Sequence, residues 1–172
     1  MNFQLMQVIL YSYEGAKRIV EFEIGKMNII TGESKTGKTA LIDIIDYCLG
    51  SDECKIPEGV IKEYTAWVAI KLKIQIGEMF IARKIPSPQQ DTSQDIYYEI
   101  KPEITLPELK ELKRLVNKET FESQLSTNLG IKANKSFLSD TQTRIPISAN
   151  IRHALFYCFQ RQDELISRDY IF

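Results

Sequence analysis

Residues 32–39 read Gly-Glu-Ser-Lys-Thr-Gly-Lys-Thr, and no other stretch restricts the possible folds as tightly. The octet fits G-x-x-x-x-G-K-[ST], a loop whose backbone amides wrap an anion. Gly32 lets the chain leave a strand in a sharp turn, and Gly37 leaves room for a phosphate to approach the main chain. Successive N–H groups from Ser34 to Thr39 can point inward as a nest, and a helix starting there adds positive potential. Lys38 supplies a point charge for β- and γ-phosphates, which makes it a candidate catalytic cation. The Thr39 hydroxyl is a hard oxygen ligand suited to Mg²⁺. The expected phosphate-binding set is therefore Gly32, Glu33, Ser34, Lys35, Thr36, Gly37, Lys38, Thr39 and Ala40.

The flanks agree with such a loop. Residues 27–30 form a short apolar run, expected as the strand that feeds it. Beyond it, Leu41, Ile44, Ile45, Cys48 and Leu49 fall at helical spacing, with Gly50 placed as a C-cap and Asp43 and Asp46 on the wetter side. Upstream, residues 3–11 and 18–24 read as extended segments around a turn that contains Gly15. Downstream, Val68, Ile70, Leu72, Ile74 and Ile76 alternate with Lys71, Lys73 and Gln75, and Gly77-Glu78 suits a two-residue turn. Residues 65–84 are therefore expected to form an antiparallel hairpin. The Pro-, Gln- and Ser-rich residues 85–104 read as a loop excursion. Thr105 and Glu108 suggest a capping box that opens a helix with Leu109, Leu112 and Leu115 inward. A further helix carries Phe121, Leu125 and Leu129 and ends at Gly130. Residues 132–147 read as loop, and Ser148 is placed to cap a last short helix.

Charge and cysteine usage remove other classes. The formal net charge is −1, so no global field draws the chain to nucleic acid or to an anionic membrane. The three cysteines, Cys48, Cys54 and Cys158, offer neither a paired framework nor zinc-site spacing. No apolar run reaches the roughly 20 residues needed to span a bilayer, and the N-terminus lacks signal-peptide features. The expectation is a cytoplasmic protein without membrane contact.

Three stretches carry a resemblance: EFEIGKMNIITGESKTGKTALIDIIDYCLG, the hairpin end GEMFIARK, and ALFYCFQRQDELISR. Together they resemble the N-terminal lobe of an ABC-class ATPase head of the SMC, RecN and RecF type. The chain is most similar to a bacterial SMC-like family. There the glycine loop, a CxIPxG stretch (here Cys54-Lys55-Ile56-Pro57-Glu58-Gly59) and an FQxQ segment occur in this order. The resemblance implies an α/β P-loop NTPase fold: an ABC-ATPase-like half-head over residues 1–172, with a mixed sheet, an antiparallel β layer and a helical subregion. It implies ATP and Mg²⁺ as cofactors. It makes FQRQDEL the Q-loop, with Gln162 as the glutamine on Mg²⁺ and the attacking water, and Gln160 as the alternative. A neutral amide suits that place because it can ligand a metal through oxygen and orient a water.

Departures bound what this half can do alone. Glu33, Ser34, Lys35 and Thr36 stand where SMC-type loops often read Pro-Asn-Gly-Ser. No apolar strand ends in Asp-Glu to supply a Walker B acid and a general base, and no LSGG-like stretch occurs. In the resembling family these follow a long coiled coil, so the chain reads as half a catalytic head, interrupted at its C-terminus. Its implied partners are its own C-terminal lobe, a second copy of the head and DNA. The implied work is repair, chromosome handling or phage defence. A non-hydrolysing nucleotide sensor and a P-loop phosphotransferase are the alternatives. His153 reads as a surface or structural residue, and the lysines and arginine at 110, 113, 114 and 118 as a solvated face. Lys17 and Arg18 are candidates to reach a nucleotide, while Trp67, Tyr97 and Tyr98 read as packing residues.

Overall fold

The computed structural model describes residues 3–33, 37–131 and 151. Five strands, β1 (Gln4–Ser12), β2 (Lys17–Glu21), β3 (Thr65–Ile74), β4 (Gly77–Lys84) and β5 (Ile96–Lys101), form one sheet in the order β2-β1-β3-β4-β5. Every pairing is antiparallel. Three helices lie wholly among the described residues: α1 (Ala40–Cys48), α2 (Val60–Tyr64) and α3 (Lys118–Asn128). The architecture is thus α/β with an antiparallel layer, as expected. The mixed sheet is not formed among the described residues.

Strand parity places the core. Val8, Val68, Ile70, Leu72, Met79, Ile81 and Ile96 share one face with Ile44, Ile45 and Cys48 of α1 and Phe121 and Leu125 of α3. The other face carries Ile9, Tyr11, Trp67, Ala69, Phe80 and Ala82, covered by the segment holding Ile104 and Leu112. Strand β3 is therefore buried on both sides, which is why Trp67 and Ala69 are as enclosed as the aliphatic row. The expected hairpin forms, but its turn is Gln75-Ile76, with Gly77 already opposite Ile74. Gly77 sits at φ 141°, and a Cβ there would strike the Lys101 carbonyl and lie 2.9 Å from the Pro102 Cα. Close approach of backbone and the positive φ both call for glycine there.

Several expectations are corrected. Residues 27–30 form no strand: Met27 is 88% exposed and Ile29 77%. Instead Asn28 ties a turn, accepting from the Glu23 N–H at 2.8 Å and donating to the Glu23 carbonyl at 2.9 Å. An apolar run needs a hydrogen-bonding neighbour to become a strand, and none of the described strands supplies one. The stretch 85–104 contains β5, whose Ile96, Tyr98 and Ile100 face the helix side of the sheet. Its polar flanks hide that alternation. Residues 105–115 make only a 3₁₀ turn at Leu109–Glu111, where Glu108 and Glu111, not Thr105, form the capping box. Asp43 is buried and Asp46 half-buried, so α1 has no broad wet face. Helix α3 forms as expected, with Asn117 accepting from the Thr120 N–H and Gly130 just past its end. The last expected helix lies outside the described residues, except for Ile151, which is helical and buried. No helix among the described residues is long and apolar enough to cross a membrane.

A buried ion pair locks the second face. Lys71 Nζ lies 2.8 Å from Glu78 Oε2 and donates to the Ile104 carbonyl at 2.8 Å. The same Glu78 oxygen accepts from the Ile104 N–H at 2.7 Å. Burial raises the Glu78 carboxyl, but the Lys71 ammonium and the Ile104 N–H outweigh it and hold the group below its ordinary value. A depressed folded value stabilises above the unfolded one, near 4.5, and that contribution is lost as pH falls through the lower folded value. Glu78→Gln strands a buried ammonium and is expected to cost about 3 kcal/mol at neutral pH. In urea melts, the gap between the unaltered chain and Glu78→Gln is expected to narrow below about pH 4.5. A gap independent of pH would show that the charge on Glu78 contributes nothing to stability.

Candidate functional site

The glycine loop leads directly into α1, which packs against β3 and β4. Gly37 takes φ 83°, a left-handed conformation that a side chain disfavours. The chain then enters helical geometry at Thr39, with φ −65° and ψ −32°. The first turn closes locally: Ala40 N–H donates to the Gly37 carbonyl at 3.1 Å, Leu41 N–H to that of Lys38 at 3.2 Å, and Ile42 N–H to that of Thr39 at 3.1 Å. Among the described residues no main-chain acceptor takes the N–H of Gly37 or Thr39. The Thr39 side chain makes no cap hydrogen bond and is exposed, which suits it to a ligand rather than to the helix end.

Lys38 folds back across the loop. Its Nζ donates to the Gly32 carbonyl at 2.8 Å and to the Glu33 carbonyl at 2.5 Å. The loop is therefore curled, with its beginning and end joined through one ammonium. Of the expected set, Gly32, Glu33 and Lys38 are joined by these bonds, and Gly37, Lys38, Thr39 and Ala40 make up the entry to α1. Ser34, Lys35 and Thr36 lie outside the described residues, as do His153, Gln160 and Gln162.

Other candidates are placed elsewhere. Lys17 pairs with Glu108 at 2.7 Å, donates to the Leu106 carbonyl at 3.4 Å and sits 5.7 Å from the centre of the Tyr11 ring. That is the sheet face opposite α1, and Arg18 is exposed on the edge strand β2. Lys118 is bound to Asp52 and lies 3.6 Å from Glu122. Trp67 is buried, and Tyr97 and Tyr98 pack edge-on against Phe80 and Phe121. Burial pushes the Cys48 thiol up to about 12, and it raises Cys54 as well, which keeps both protonated at neutral pH. Among the described residues, no group of three or more His, Cys, Asp or Glu side chains is placed to hold a metal ion. Of the described metal candidates only Thr39 stands at the loop.

Sequence reasoning missed two features. A cleft of about 410 Å³ opens beside α2, lined by Tyr13, Lys62, Glu63, Lys84, Pro86 and Asp95. Beneath it, Arg83 is buried against the C-terminal end of α1. Parity was the available signal for the latter, since Met79, Ile81 and Arg83 share one face of β4 and that face meets α1. Helix α2 also touches the loop: a Cβ on Gly37 would lie 3.2 Å from Ile61 Cδ1. Gly37→Ala is thus expected to lose about 1–2 kcal/mol from backbone strain, plus a smaller steric loss. Adding Ile61→Ala relieves only the steric part, so chemical denaturation of the double variant should still show the strain. Full recovery would place the glycine's role in the contact alone.

Comparisons with protein-family models, with curated proteins and with solved structures return no match to this chain.

Proposed function

We propose that the chain is the ATP- and Mg²⁺-binding half of an SMC-like ATPase, in which head closure over nucleotide is coupled to work on DNA. The observation that carries this reading is the curled loop: Lys38 bridging the carbonyls of Gly32 and Glu33, Gly37 left-handed, and Thr39 with its N–H and hydroxyl outside the helix ladder. A polyphosphate offers the same ammonium stronger, charged acceptors than two carbonyls. The reading therefore has Lys38 exchange one set of oxygens for the other without moving far. The Gly37 and Thr39 amides and the positive end of α1 would hold the anion from the opposite side.

Mg²⁺ bound there would neutralise phosphate charge as it develops. The residues present fit it at one position, Thr39, whose exposed hydroxyl is not spent on capping. Gln162, or Gln160, is the proposed second ligand and water-orienting group. The general base and the signature motif are proposed to come from a C-terminal lobe and from a second head, so this chain binds nucleotide but turns over negligibly.

The segment before the loop supports that division of labour. Met27, Ile29 and Ile30, which precede the glycine loop in sequence, are exposed. Exposed apolar side chains grouped in this way mark an interaction surface. We assign it to strands of the C-terminal lobe, which would convert residues 27–30 into the strand that the sequence pattern describes.

Calorimetric titration of the 172-residue chain with Mg·ATP is expected to show weak binding. Lys38→Ala should weaken it by about tenfold or more, the loss of one strong charge-assisted contact. Equal affinity of the two proteins would overturn the reading. Sustained phosphate release by the chain alone would show that it contains a complete site.

A further inference from the structure

We infer that Arg83 is a positioning residue for the phosphate loop, holding α1 from its far end; this rests on the phosphate-binding reading above. Arg83 is 1% exposed. Its Nη1 donates to the carbonyls of Tyr47 at 2.7 Å and Ser51 at 2.8 Å, the chain's exit from α1. Its Nη2 donates to Thr92 Oγ1 and to the Ser93 carbonyl, both at 3.0 Å. The guanidinium lies 3.9 Å from the centre of the Tyr47 ring. Among the described residues no carboxylate forms an ion pair with it.

A cation buried without a carboxylate is costly, and the same row of β4 shows what packing alone would select, Met79 and Ile81. What offsets the cost is dipolar. The C-terminal end of a helix carries partial negative charge, and one of the four acceptors, the Tyr47 carbonyl, belongs to the last turn of α1. The planar fork reaches four acceptors on two chain segments at once, which the single nitrogen of a lysine cannot match in geometry.

The same point ties α1 to the cleft wall. Tyr47 Oη donates to the Lys84 carbonyl at 3.0 Å and accepts from the Ser93 N–H at 3.0 Å, and Lys84 and Ser93 both line the cleft. Helix α1 runs only from Ala40 to Cys48, so its two ends move as one body. Its N-terminal end carries Lys38 and Thr39 into the loop. Fixing Tyr47 and Ser51 on Arg83 therefore sets where the loop's amides and the Lys38 ammonium can stand.

Arg83→Lys, which keeps the charge and loses the fork, is expected to weaken Mg·ATP binding by about tenfold, and Thr92→Val, which removes one acceptor, by about two- to threefold. Both are titrated at a temperature where circular dichroism shows them fully folded. Leu112→Ala, on the opposite sheet face, serves as a control of comparable lowered stability and is expected to bind as the unaltered chain does. Arg83→Ala with millimolar ethylguanidinium should regain affinity as the cavity fills. Unchanged affinity in Arg83→Lys, or an equal loss in Leu112→Ala, would overturn the inference while leaving the phosphate-binding reading intact. Failure of the unaltered chain to bind would overturn both. If Arg83→Lys does not fold, Thr92→Val decides: unchanged affinity there would overturn the inference.

Discussion

The double burial of β3 is the constraint on which the rest depends. A strand enclosed on both faces needs cover on both, and the two covers come from different parts of the chain. On one side α1 and α3 supply it. On the other, the segment around Ile104 and Leu112 does, pinned through its main chain to Lys71 and Glu78. Because α1 is one of these covers, the residues that enter it, Gly37, Lys38 and Thr39, are placed by the same packing that makes the core. Stability and site geometry are not separable there.

Polar chemistry in this core is used for registration. Hydrophobic contact sets α1 against the sheet but tolerates sliding along it. Directional bonds do not. Arg83 and Tyr47 fix one end of α1, the closing turn from Gly37 to Ile42 shapes the other, and Lys71–Glu78 fixes the opposite cover. Each of these side chains sits on a strand or helix whose neighbours are apolar. Each spends its polar atoms chiefly on backbone carbonyls and amides, groups whose positions are set by the fold itself.

Much of this was legible in the sequence. The octet, the helix after it, the hairpin at 65–84 and α3 follow from glycine placement and periodicity, which are local signals. What escaped depends on partners far away in sequence. Residues 27–30 carry a strand's composition, yet strand formation needs a neighbour to accept its hydrogen bonds, and Asn28 ties the approach into a turn instead. Lys71 and Asp43 looked solvated because charge normally lies outside. The burial of Lys71 is decided by Glu78 and Ile104, and Asp43 is buried on α1. β5 was obscured by its polar flanks, and the burial of Arg83 rests on acceptors at Tyr47, Ser51, Thr92 and Ser93 that no local pattern shows. The glycine loop stands out by its pattern, whereas the Arg83 contacts behind α1 show in the sequence only as the parity of one arginine.

The most direct test of an anion-wrapping loop is to watch its amides. In ¹⁵N–¹H spectra of the chain titrated with Mg·ATP, and separately with inorganic pyrophosphate, the resonances of Gly37, Lys38 and Thr39 should move first and furthest. Those of Ile9 and Phe80, on the covered far face, should stay still. Binding that shifts resonances elsewhere and leaves these three unmoved would contradict the phosphate-binding reading of the loop.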